Sequence, residues 1–193
     1  MISNAPLTES STGAKQPAGC ASPGTGFPIV IDTSALSTAA QNNNMIDLTI
    51  MGNSYWTQFT NINPSTTDID NIINYFQSGK GTSPSGINVN DNIRINDGNM
   101  NAVFMDLNPA VLVGMSYVFS VVTVNSSTNA TANAFVSATI NNIVSSMGQQ
   151  YITITIAPGN IDNTFGGLQI CSMPANVSSS NQPLLATAFG IVE

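Results

Sequence analysis

A chain of 193 residues with 42% hydrophobic side chains can build one core and is short for two domains. Its net charge is −7 and its only basic residues are Lys15, Lys80 and Arg94, which excludes a nucleic-acid partner, because phosphates must be neutralised by Lys and Arg. Histidine is absent, which excludes Ser–His and Cys–His catalysis and His-containing zinc sites, and charged residues are only 7% of the chain against roughly 25% in an average soluble domain.

Residues 1–28 are rich in Ser, Thr, Gly, Pro and Ala and nearly free of bulky apolar side chains, which predicts an extended N-terminal arm. Met1–Cys20 has no apolar stretch and does not read as a secretory signal. Ala18-Gly19-Cys20 looks like the end of a lipoprotein cleavage site, but Pro17 and the lack of a preceding hydrophobic segment speak against lipidation. Residues 29–193 read as a single domain.

Within that domain the predicted strands follow one another from 28–32. At 45–51, Ile46, Leu48 and Ile50 alternate with Asp47 and Thr49. Strand 55–59 holds the only Trp, Trp56. One helix is predicted, over about 66–78. Ser65-Thr66-Thr67-Asp68 resembles a capping box, Ile69, Ile72, Ile73 and Phe76 form an apolar stripe, and Gly79 supplies a stop. Strand 87–95 ends at the turn signal Asp97-Gly98. Strands 101–105, 111–113, 117–124, 134–144, 151–156, 168–172 and 186–192 complete the set, with 125–133 and 157–164 as loops. The longest apolar run, residues 109–124, is interrupted by Gly114, Ser116, Ser120 and Thr123 and falls short of the ~20 residues a membrane span needs. Many short strands and one helix predict an all-β fold: a single jelly roll or β-sandwich with one short capping helix.

Chemical motifs are sparse. Val30-Ile31-Asp32-Thr33-Ser34-Ala35-Leu36 resembles the first strand of PIN-domain nucleases and the Asp-Thr-Ser/Gly loop of aspartic proteases. A PIN site needs several further carboxylates converging within an alternating β/α sheet, whereas the downstream pattern reads as β and the only glutamates are Glu9 and Glu193; an aspartic protease needs two such loops and the chain has one. Asp68 and Asp70 suit the positive end of a helix. Asp91–Asn99 has the outline of a calcium loop, but Ile93 and Ile95 occupy ligand positions. Asn125, Asn129 and Asn176 head glycosylation triplets, of the kind expected by chance in a chain with 25 asparagines. Cys20 and Cys171 could form one bridge or remain two thiols. No catalytic, cofactor or metal residue is assigned, and the chain does not read as an enzyme.

No charged residue lies between Asp106 and Asp162. Amides and hydroxyls provide the polarity there, and neutral groups suit surfaces that end up against other proteins. The Pro/Gly/Ser arm, about 165 residues of short strands, the few charges and the abundant Asn together resemble the capsid proteins of large icosahedral double-stranded DNA viruses. The likeness is to the single jelly-roll penton or minor capsid protein of chloroviruses and relatives. The segment Ile93–Asn101 is also similar to repeats in secreted bacterial pilus-assembly proteins. The capsid resemblance implies a structural protein of the virion that associates with itself, as a pentamer at a vertex, and with other capsid proteins. The alternative is a glycan-binding β-sandwich, a receptor-binding tip or lectin-like module, with Trp56, Tyr55 and Tyr75 as candidate sugar-stacking rings. A buried Trp56 would count against it.

Overall fold

Alternating and continuous apolar runs fold here into one large sheet that carries helices on one face. The computed structural model describes residues 15–17, 19–96, 100–146, 149–157 and 187–189. In chain order its elements begin with β1 (Lys15–Pro17), β2 (Cys20–Ala21), β3 (Gly26–Asp32), α1 (Thr33–Gln41), β4 (Met45–Leu48) and β5 (Ser54–Trp56). Next come α2 (Thr66–Ser78), β6 (Ile87–Asn88), β7 (Asn92–Arg94), α3 (Asn101–Asp106) and α4 (Pro109–Leu112). The last are β8 (Ser116–Ser126), β9 (Asn129–Ser146), β10 (Gln149–Ile156) and β11 (Thr187–Phe189).

Seven strands form the main sheet in the order β4-β10-β9-β8-β3-β5, with β7 pairing with β9 off this path. The β3–β8 pair is parallel and the other pairs are antiparallel. The pairs β1–β11 and β2–β6 make two small separate sheets. Successive residues of β3 point to opposite faces. Phe27, Ile29 and Ile31 enter one core cluster, where Ala35 and Ala39 of α1, Ile69 and Ile73 of α2, Val103 and Phe104 of α3 and Leu112 of α4 meet them. Val30 enters the other, with Val118, Val122 and Phe135 of the sheet, Ala21 of β2, Ile87 of β6 and Ile93 of β7. A strand buried on both faces reads as a near-continuous apolar run, which explains Phe27–Ile31 and Tyr117–Val122, the latter broken only by the buried Ser120.

The all-β expectation with a single capping helix is therefore corrected to a mixed α/β domain with four helices among the described residues. Helices, not a second sheet, cover the face where a sandwich would be completed. The expected helix at 66–78 is α2. Its capping box is formed by Ser65 and Asp68, and Gly79 at φ 68° closes it with its N–H bonded to the Tyr75 carbonyl. The residues read as strands at 101–105 and 111–113 are instead α3 and α4. The second starts with Pro109, whose missing N–H is harmless there, and Asn108 caps it by accepting from the Ala110 N–H at 3.1 Å. The segment 87–95 splits into β6 and β7 at a turn where Asn90 has φ 73°. The loop expected at 125–133 is corrected too. β8 and β9 run on to a turn of two residues, Ser127 and Thr128. The predicted strand 168–172 and most of the predicted loop 157–164 lie outside the described residues, and β11 falls within the predicted strand 186–192.

Asparagine marks the irregularities of the antiparallel ladder. Asn125 lies between the pairs Val124–Ala130 and Ser126–Asn129, Asn133 between Val121–Ala134 and Val122–Ala132, and Asn141 between Ile154–Ile140 and Thr153–Asn142. A residue left over in one strand switches the faces beyond it. Accordingly Ala130 and Ala132 belong to one core cluster, and Ala134 and Val136 to the other. In each case the amide of the extra Asn donates to a threonine hydroxyl: Asn125 to Thr131 at 2.8 Å, Asn133 to Thr123 at 2.6 Å and Asn141 to Thr155 at 2.6 Å.

Candidate functional site

The motif residues occupy local structural roles, dispersed through the fold. Asp32 is the N-cap of α1, and its Oδ1 accepts from the Ser34 N–H at 2.8 Å and from the Ser34 hydroxyl. Asp68 completes the capping box of α2. Asp70 has its Oδ1 buried without a hydrogen-bond partner, and its carboxyl is held above the ordinary range, first by burial and then by the neighbouring Asp106. Asp91 closes the β6–β7 turn by accepting from the Asn88 backbone N–H at 2.7 Å and from its side-chain amide at 3.1 Å. Ile93 and Ile95 beside it are 2% and 1% exposed, in the core. Asn125 and Asn129 both donate within the β8–β9 hairpin, Asn129 to the Ser126 hydroxyl at 3.1 Å. Asn176 lies outside the described residues.

The three rings considered for sugar stacking do not form a platform. Trp56 is 1% exposed and sits edge-on to Phe104 at 6.2 Å between centroids. Tyr55 is half-buried against the other core cluster, and Tyr75 lies edge-on to Phe76. Cys20 is buried and disulfide-bonded; Cys171, the only other cysteine in the chain, lies outside the described residues. No helix among the described residues is long and apolar enough to cross a membrane, and the apolar run at 109–124 is divided between α4 and β8.

Two surface features stand out instead, and neither was singled out from sequence. The first is a cleft of about 480 Å³ between the C-terminal end of α1 and the edge strand β4. Gln41, Asn42, Asn43, Met45, Asp47 and Thr153 line it. Its base is firmly held. The Thr153 hydroxyl donates to Asp47 Oδ1 at 2.6 Å. Asn53 clasps the free edge of β4, accepting from the Thr49 N–H and donating to the Asp47 carbonyl, both at 2.9 Å. An amide placed like this substitutes for a pairing strand and blunts the edge. The signal in the sequence was Asn42-Asn43-Asn44. Asn43 and Asn44 take φ 53° and 63°, a left-handed turn that Asn tolerates better than most residues.

The second feature is an apolar corner running from α4 into β8. Six of the seven residues from Pro109 to Met115 are exposed, all but Leu112, and none of the seven has a polar side chain. Val111 and Val113 are each 38% exposed, Met115 is 52% and Met105, at the end of α3, is 62%. Comparison with protein-family models, with curated proteins and with solved structures gives no match for this chain.

Proposed function

We propose that this chain is a structural subunit that works by self-association, as a penton or minor capsid component of an icosahedral virion in contact with further capsid proteins. The observation that carries the self-association is the apolar corner at 109–115. Scattered apolar side chains are ordinary on a surface, but a contiguous run of this kind marks a contact site. A second copy is the occupant that fits. Residues 109–115 carry no charge themselves, and exposed Asp106 stands at their border, so copies with a net charge of −7 each can meet on the corner with that carboxylate left at the solvated rim. A stable interface buries on the order of 1,200 Å² or more. The corner would form its dry centre and the surrounding Ser, Thr and Asn its polar rim. For a fivefold ring the corner must pack head to tail against a different patch of the next copy, and five such heterologous contacts close.

The capsid assignment rests on the resemblance in composition, charge and Asn content, because the mixed α/β sheet no longer lends it a jelly roll. For the glycan-binding alternative, the burial of Trp56 removes the best stacking ring.

Light scattering after size exclusion tests the proposal. The expected result is a closed oligomer, a pentamer having five times the chain mass of 20.1 kDa, that dissociates when Val111→Asp and Met115→Asp are combined. A wild-type chain that stays at one chain mass across the accessible concentrations, or an oligomer indifferent to the double substitution, overturns it.

A further inference from the structure

We propose that the cleft between α1 and β4 binds a neutral carbohydrate, one pyranose ring or a short chain of them. At about 480 Å³ it falls within the usual range of small-molecule sites. Its chemistry narrows the class. Asp47 keeps Oδ1 on Thr153 and has Oδ2 without a partner among the described residues. The side-chain amides of Gln41, Asn42 and Asn43 likewise make no bond within the described residues and line the same space. Each amide offers donors and an acceptor, and the carboxylate adds a strong acceptor, the set that adjacent sugar hydroxyls use. Met45, 44% exposed, gives an adaptable apolar contact for the C–H face of a ring.

Other ligand classes fit less well. An anion would meet the Asp47 carboxylate and the negative C-terminal end of α1, with no basic side chain in the lining. A calcium ion takes six to eight oxygen ligands, commonly several carboxylates, and the lining offers one.

The backbone that carries the amides is also fixed. The N–H groups of Asn42 and Asn44 both donate to the Ala39 carbonyl, at 3.0 and 2.8 Å, and the Met45 N–H donates to the Asn42 carbonyl at 2.9 Å. The turn that carries three of the lining groups is therefore fixed by backbone bonds before a ligand arrives, which reduces the ordering that binding requires. This site is remote in sequence from the apolar corner and does not depend on self-association.

The test is a titration of the isotope-labelled full chain with glucose, galactose, mannose and N-acetylglucosamine, followed by amide chemical shifts. At least one sugar is expected to give saturable shifts centred on residues 41–47 and 153. Asp47→Asn, which keeps an acceptor for Thr153, is expected to weaken that binding by about tenfold or more, the usual scale for a hydrogen bond to a charged group. Asn43→Gly keeps the left-handed backbone while deleting one amide, and should weaken it too. The absence of saturable shifts for all four sugars, or binding unchanged in both variants, overturns the proposal. Saturation at the same residues by inorganic phosphate or calcium but not by sugar overturns the assigned class.

Discussion

Replacing Trp56 by alanine tests the packing on which both the fold and the functional reading depend. The ring is 1% exposed, lies on the helix-covered face of β5 and meets Phe104 edge-on. A buried Trp removes about 150–250 Å² from water. At about 25 cal/mol per Å² this corresponds to about 4–6 kcal/mol. The alanine methyl and partial collapse of the cavity bring the expected loss to about 4 kcal/mol, inside the range of roughly 3–5 for Trp and Phe truncations. Against a total stability of about 5–15 kcal/mol, Trp56→Ala should unfold at a much lower urea concentration with an unchanged slope. Far-UV circular dichroism measures this. Trp56 is the only tryptophan, so the wild-type emission reports on it alone and should be blue-shifted and resistant to iodide quenching. A loss below about 1 kcal/mol, or a solvated emission spectrum, would refute the burial and return Trp56 to the candidates for sugar stacking.

Asp32→Ala should lower stability by about 1 kcal/mol through loss of the α1 cap, whereas Asp32→Asn should be close to neutral, because Asn caps equally well; equal losses in urea titrations would show another role. Asp70 has a raised pKa in the folded chain, so the contribution linked to it is fully present below its unfolded pKa and is lost as pH rises through the folded value. Asp70→Asn should therefore stabilise the chain near neutral pH by up to about 0.5 kcal/mol and bring no gain at acid pH, a difference read from melting curves at both. Asn53→Ala removes two hydrogen bonds from the edge of β4 and should cost about 1–2 kcal/mol while raising the aggregation rate; an unchanged stability would mean the clasp is idle. Reduction of the disulfide at Cys20 should lower the melting temperature, with a free-energy loss of about 2–5 kcal/mol, and a chain of single mass on non-reducing gels would assign the bridge to Cys171 of the same chain.

What the sequence revealed depended on how many local signals agreed. At α2 the capping box, the isoleucine stripe and Gly79 all point to one helix, and the predicted bounds match. At β10, Tyr151–Ile156 alternates cleanly because one face alone is buried. The first helix has little periodic signal because its buried stripe is Ala35 and Ala39, which differ little in hydrophobicity from their Ser and Thr neighbours. In α3 and α4, Val103, Phe104 and Val111 are strand-like residue types, and the packing of Val103, Phe104 and Leu112 into the helix-covered core overrides that preference. The tip of the β8–β9 hairpin carries the composition of a loop because its bulges are asparagines, a residue that ordinarily announces a turn. The cleft and the apolar corner carry no spacing signature; each arises from segments brought together or exposed by the fold.

The scarcity of charge gains a physical explanation from these placements. Asp32, Asp68 and Asp91 are engaged in caps and a turn, and Asp47 is anchored by Thr153. Surface polarity falls to neutral pairs: Asn133 with Thr123, Asn141 with Thr155, Ser116 with Thr139, and Asn92 with Thr131. Groups already bonded to one another lose few water contacts when a neighbour covers them, so the desolvation penalty that normally opposes association is small. An isolated charge in the same place would demand a partner across the interface, and identical copies can supply one only in a restricted geometry. A surface built this way tolerates contact in more than one orientation. The apolar corner at 109–115 would then set which contact forms, while the bonded Asn and Thr pairs allow the surrounding surface to close against it.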